Sequence, residues 1–139
     1  MTKTRLVQPL LLILALVFLG ACSKYEEGKP SLASKKSRLV NHWKTQQITS
    51  NGFDITSLNL ITEIVVRDNN TITVSGTPFG IATSVNGAWV FSGDKKRVLI
   101  TNDDGSLDDY EIVMLQKDEC KFRKIDANGA TILYHFVSF

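Results

Sequence analysis

The chain has 139 residues, 43% of them apolar and 22% charged, with nine Gly and three Pro, an ordinary globular composition that excludes fibrous and disordered classes and points to one modest domain. Its 16 Lys and Arg against 14 Asp and Glu give a formal charge of +2, and two of the basic residues, Lys3 and Arg5, lie in a segment read below as removed. A balanced mature chain without a Lys/Arg stripe lacks the electrostatic footprint of phosphate-backbone binding, which excludes nucleic acid as a partner.

In chain order, Lys3 and Arg5 supply a positive start, Leu10 to Leu19 is an unbroken run of ten apolar residues, and Gly20 and Ala21 are small. This is the layout of an export signal. As a helix the run covers about 15 Å of a roughly 30 Å hydrocarbon core, too little for a membrane span. The segment ends Leu19-Gly20-Ala21-Cys22, which resembles a bacterial lipobox. The resemblance implies diacylglycerol on Cys22, cleavage after Ala21 and acylation of the new amino terminus. Each buried CH₂ contributes about 0.8 kcal/mol, and two or more chains hold a protein durably on a bilayer. With Cys22 lipidated, Cys120 is the remaining thiol and no internal disulfide can form, although the chain enters a compartment where disulfides persist. Cys120 opens an apolar-alternating segment and reads as a small buried hydrophobe.

Residues 22–38 are polar, carry Gly28 and Pro30, and keep neither a 3.6 nor a 2 period, which predicts a tether. Lys24-Tyr25-Glu26-Glu27 resembles the short charged signal that sends some lipoproteins of Bacteroides-like bacteria to the outer face of the outer membrane.

From Leu39 to Phe139 the apolar period is near two and turn residues recur every eight to twelve positions, the pattern of an antiparallel barrel or sandwich. The expected strands are 42–49, 62–67, 71–75, 81–85, 88–92, 97–101, 108–116, 121–126 and 131–138. Residues 53–60 hold either one helical turn or an extra strand. Asn51-Gly52, Asn86-Gly87 and Asn128-Gly129 suit type I′ turns, while 68–70, 92–95 and 102–105 suit longer hairpin loops. These short links leave no room for parallel crossovers. Ile112 and Met114 oppose Val113 and Leu115, and Ile132, Tyr134 and Phe136 alternate with Leu133 and Val137, so two strands are apolar on both faces and the second face needs cover.

The lipobox, Trp43 in Leu39-Val40-Asn41-His42-Trp43-Lys44, the later Gly87-Ala88-Trp89-Val90-Phe91-Ser92 and the closing hairpins together resemble the lipocalin-like, calycin-type lipoproteins of Bacteroidetes. The family's usual Gly-x-Trp recurs as Gly87-Ala88-Trp89, and at the first strand Asn41 stands in the glycine place. The resemblance implies an all-β, up-and-down barrel of about eight strands over 39–139, enclosing side chains or one small ligand. It also implies binding of small apolar molecules. An aromatic-lined pocket would draw on Trp43, Phe79, Trp89, Phe91, Tyr110, Phe122, Tyr134 and Phe136, whose rings bury much surface and leave shaped gaps.

Other clusters read as bland. Asp103, Asp104, Asp108 and Asp109 could offer oxygen ligands to Ca²⁺, but their spacing fails the EF-hand pattern and fits a solvated hairpin tip. Lys95-Lys96-Arg97 reads as a solvated turn rather than a headgroup patch. Cys22, His42, Cys120 and His135 stand at spacings that match no metal motif, and no cofactor is called for. With no Gly-x-Ser-x-Gly elbow, paired-carboxylate motif or Cys-His signature, the chain is not expected to be an enzyme. The expected protein is a lipid-anchored, periplasmic or surface-exposed outer-membrane lipoprotein that binds a small apolar or amphipathic molecule. The rival is a filled barrel docking another envelope protein. An interior void of several hundred Å³ would favour the first, and a packed interior with an exposed apolar patch the second.

Overall fold

The computed structural model describes residues 32–139. The leader 1–21, the lipobox Cys22 and the first part of the tether lie outside the described residues. The chain enters through a five-residue helix, α1 (Lys35–Leu39), whose N-cap Ser34 Oγ accepts the Ser37 N–H at 3.1 Å. This helix spans the seam between the 22–38 stretch and the barrel. Nine strands follow: β1 (Asn41–Ser50), β2 (Phe53–Asp54), β3 (Glu63–Val66), β4 (Thr71–Gly76), β5 (Thr83–Phe91), β6 (Arg97–Asn102), β7 (Leu107–Leu115), β8 (Glu119–Ile125) and β9 (Thr131–Ser138).

From β3 to β9 each strand pairs antiparallel with the next, and β1 pairs with β3 on one side and β9 on the other. The sheet therefore closes into an eight-strand barrel with no long open edge to template aggregation among the described residues. β2 lies outside the count, extending the far half of β1 through Thr49↔Asp54 and Ser50↔Phe53. The 53–60 stretch holds both alternatives, β2 and a 3₁₀ turn at Thr56–Leu58. Thr56 Oγ1 fixes that turn by accepting the Ile48 N–H at 2.9 Å.

The turn chemistry explains most of the connections. Asn51 and Gly52 both have positive φ, 48° and 85°, as a type I′ turn demands. The longer loops each place one residue in the left-handed region: Asn70, Lys95 and Gly105. Asn128-Gly129 also belongs to a longer loop, since only Gly129 has positive φ and Asp126 accepts the Asn128 and Ala130 N–H groups.

Asn86-Gly87 is not a turn. The expected strands 81–85 and 88–92 are one continuous β5, in which Gly87 pairs with Ile72 of β4 and Asn102 of β6. A Cβ on Gly87 would lie 2.6 Å from the Thr101 carbonyl oxygen, so glycine is present for close backbone approach inside the sheet rather than for a reversal.

The doubly apolar segment of β7 has a local cause. A bulge between Ile112 and Met114 shifts the strand by one residue, so Ile112 and Leu115, of opposite parity in sequence, both join the core. A second bulge, between Thr45 and Gln47, does the same to β1.

One barrel end is closed. Leu39 from α1 packs with Trp43 and Trp89, both 1% exposed, and each indole N–H finds a carbonyl: Trp43 Nε1 donates to Leu39 at 2.9 Å and Trp89 Nε1 to Arg67 at 3.1 Å. Lys36 Nζ sits 5.9 Å from the Trp89 ring centroid, and an Arg38 N–H donates to the Leu115 carbonyl at 2.5 Å. The opposite end carries the loops 51–62, 77–82, 103–106 and 126–130, with the 3₁₀ turns Thr56–Leu58 and Pro78–Gly80 and, among the described residues, no α-helix. Cys120 is fully buried in the core. Burial, with Glu119 alongside, pushes its thiol pKa up, as suits a packed hydrophobe.

Candidate functional site: the barrel lumen

Alternate residues of each strand point into the barrel, and these inward positions leave a gap of about 50 Å³ that reaches Leu39, Trp43 and Trp89 at the closed end. Its walls are apolar side chains of α1, the strands and Ile61, together with Tyr110 and Tyr134. Of the aromatic residues expected there, Trp43, Trp89, Tyr110, Phe122, Tyr134 and Phe136 line it. The rings pack closely. Tyr134 stacks on Phe136 at 6.2 Å between centroids, Tyr110 meets Tyr134 edge-on at 5.7 Å, and Phe122 lies 6.3 Å from Phe136.

Two expected residues lie elsewhere. Phe91 sits beyond the gap, edge-on to Trp89 at 5.5 Å, because it falls near the closed end of β5. Phe79 is 90% exposed on the 3₁₀ turn Pro78–Gly80, held with φ 52°, and reaches solvent. Sequence reasoning missed the aliphatic walls, including Leu39, Ile64, Ile72 and Ile100, whose alternation marked them as core without telling lumen from packing.

It also missed a polar bridge. Asp108 of β7 pairs with Ile100 of β6, and Lys124 of β8 with Ile132 of β9, one inward step closer to the mouth than Tyr110 and Phe122. Asp108 accepts from Lys124 Nζ and from Asn102 Nδ2, the latter at 2.8 Å. Asn102 also donates to Ser106 Oγ at 2.9 Å. Lys124 Nζ lies 5.3 Å from the Tyr110 ring centroid. Burial alone would raise the Asp108 carboxyl, but the hydrogen bonds from Lys124 and Asn102 and the ammonium charge outweigh it and hold it below the usual range. Burial raises the Tyr110 hydroxyl, and the Tyr134 phenol and the Asp108 charge add to the shift. Tyr134 is raised by burial, then by Asp108 and Asp126. Both tyrosines are therefore neutral donors at ordinary pH.

The four aspartates do not converge. Asp104 accepts from Ser106, Asp108 turns inward to Lys124, and Asp109 turns outward to Arg97 at 2.5 Å. The histidine rings meet carboxylates across strands, His42 Nε2 3.0 Å from Glu63 and His135 Nε2 2.6 Å from Glu119, and Phe139 stacks on His42 at 4.0 Å.

No family model matches the sequence, and no curated protein does. Among solved structures, bovine odorant-binding protein in complex with a selenium-containing odorant aligns with a TM-score of 0.50 at 16% identity, over 81% of this chain and 78% of that one. The chain has the lipocalin fold. Bovine odorant-binding protein complexed with undecanal also aligns, with a TM-score of 0.48 at 19% identity over 83% and 77% of the two chains. In this lipocalin-like barrel the lumen is far smaller than the several hundred Å³ that open binding would favour. Six large rings in a barrel of about 100 residues leave room for little else.

Proposed function

We propose that the protein is a non-enzymatic, lipid-anchored envelope lipoprotein whose barrel binds one small apolar or amphipathic molecule. The observation that carries this reading is the apolar gap inside the closed barrel, with no α-helix of the described residues at the end opposite α1. A cavity of about 150 Å³ accepts benzene, so the 50 Å³ present accepts a ligand of a few heavy atoms, and a larger one requires Phe122, Tyr134 or Phe136 to change rotamer. The anchor is acylated Cys22 at the outer membrane, facing the periplasm or the cell surface.

The test is displacement of a fluorescent naphthylamine probe from the purified chain by small apolar molecules. One-to-one displacement, abolished by filling the gap with Phe122→Trp, is expected; absence of probe and competitor binding refutes the reading.

A second reading, the one that a packed interior with an exposed apolar patch favours, has its own observation. Phe53, Phe79, Ile81, Leu107 and Ile125 all stand at the open end and are 68–90% exposed, forming an apolar rim of the kind that docks a protein. In that case the partner is another envelope protein, and polar replacement of Phe79 and Leu107 would abolish its capture without altering small-molecule binding.

A further inference from the structure

The near balance of charge in the sequence hides a segregation between the two barrel ends. At the closed end, α1 brings Lys35, Lys36 and Arg38. The three hairpin loops there, 67–70, 92–96 and 116–118, add Arg67, Lys95, Lys96 and Lys117, against Asp68, Asp94 and Asp118. The loops of the opposite end, 51–62, 77–82, 103–106 and 126–130, hold Asp54, Asp103, Asp104 and Asp126 and no Lys or Arg. One end is basic and the other acidic.

The cations form one face because α1 ties the three loops together. Lys35 Nζ donates to the Lys95 carbonyl at 2.7 Å, Lys36 Nζ lies 3.2 Å from the Asp68 carboxylate, and Arg38 donates to the Leu115 carbonyl next to the loop 116–118. Asp94 turns back into its own loop, accepting from Ser92 Oγ and the Lys96 N–H. Among the described residues, Lys95, Lys96 and Lys117 hold no ion pair. Along the chain Lys95-Lys96 is a solvated turn; the fold sets it beside the cations of α1.

We infer that this closed end docks on an anionic phospholipid surface, so that the barrel stands on its α1 end with the apolar rim turned away from the bilayer. The choice of a membrane as the occupant rests on the acyl anchor proposed above. The chain enters the barrel at this end, and the twelve residues between Cys22 and Lys35 span at most about 40 Å. An anchored chain therefore keeps the face near headgroups, where weak attraction suffices. Cations spread over a helix and three loops match headgroups spread over a plane better than one compact anion. Each Lys or Arg beside an anionic leaflet adds about fivefold to partition. The same surface repels the acidic loops, which carry the exposed Phe79 and Leu107 at the far end.

The experiment uses the full-length Cys22→Ser chain, which removes any acyl contribution, and measures its partition onto phosphatidylcholine vesicles with and without phosphatidylglycerol. Energy transfer from tryptophan to dansyl headgroups is read alongside. Both tryptophans of the chain, Trp43 and Trp89, lie at the closed end, so strong transfer marks that end as the one at the lipid. Partition about 100-fold stronger onto the anionic vesicles, lost at high salt, is expected with strong transfer. Lys96→Glu with Lys117→Glu, both at exposed loop positions, is expected to lower it at least about 25-fold. Lys44→Glu with Lys121→Glu, on the outer wall of β1 and β8, changes the net charge equally and is expected to lower it less than about fivefold.

Equal partition onto both vesicles, or equal loss in the two double variants, overturns the inference. Binding with weak transfer, which puts the apolar rim at the lipid, overturns it as well. Salt-sensitive self-association without vesicle binding gives the basic face to the acidic end of a second copy and overturns the lipid assignment. The anchor is read separately, from the mass of the native chain. Lipid on Cys22 without the expected partition refutes the docking face alone, whereas no lipid on Cys22 refutes the anchor and with it the choice of a membrane.

Discussion

Trp43 and Trp89 show how one side chain sets the closed end. Each is 1% exposed and spends its indole N–H on a backbone carbonyl, so truncation leaves both a cavity and an unpaired acceptor. Trp43→Ala is expected to cost about 3–5 kcal/mol of stability, read from urea unfolding followed by circular dichroism. Cys120 is expected to react with a maleimide at least about 100-fold more slowly in the native chain than in denaturant, since the thiolate is the nucleophile and burial suppresses it; equal rates would show that the core opens readily. The tryptophans were legible in the sequence because a large ring on an alternating strand has few places to go. Phe79 was not, because ring size says nothing about whether a loop turns inward. Asp108 read as part of a solvated hairpin tip, because its partnership with Lys124 runs across β7 and β8 and spacing along the chain does not reveal it.

At the scale of elements, the strands were legible wherever a turn signal agreed with the alternation, and misread where one signal served another purpose. Asn86-Gly87 has turn chemistry, yet it lies mid-strand because β6 approaches the backbone too closely for a side chain. Gly76 is similar: a Cβ there would meet the Leu60 carbonyl oxygen at 2.2 Å. Gly87→Ala and Gly76→Ala are each expected to destabilise the barrel by about 1–3 kcal/mol, measured by thermal unfolding. Were Asn86-Gly87 a free turn, the first substitution would cost little. The bulges in β1 and β7 were invisible, since a bulge needs no particular residue and shows only as a slip in parity. The bridge across β6, β7 and β8 adds a pH signature. The folded Asp108 carboxyl lies below its unfolded value, so its contribution is fully present above about pH 4 and fades as pH falls through the lowered folded value. The stability difference between the parent and Asp108→Asn is expected to shrink on acidification over that window. A difference that grows there would show that the carboxyl is held protonated.

For the molecule as a whole, closure by β1 and β9 removes every long sheet edge, and α1 stops one end, which leaves the other as the route to the interior. Alternation and short hairpins left a barrel or a sandwich open; the closed barrel was expected from the resemblance to lipocalin-like lipoproteins, and α1 was not expected. The volume of the interior was not readable either, because it depends on how large rings from several strands interlock. If acyl chains on Cys22 hold the chain at the bilayer, Cys22→Ser leaves it unprocessed or released, and fractionation of cells is expected to move it out of the membrane pellet. Continued tight association would remove the anchor from the account.

Native mass spectrometry of the chain recovered from its own membranes tests the central claim most directly. The expected spectrum is a polypeptide beginning at an acylated Cys22 that carries one further small molecule, shed intact on mild activation and missing from Phe122→Trp. A mature chain that never holds a small molecule, and instead travels in a one-to-one complex with another protein, would contradict a binding lumen and move the function to the apolar rim.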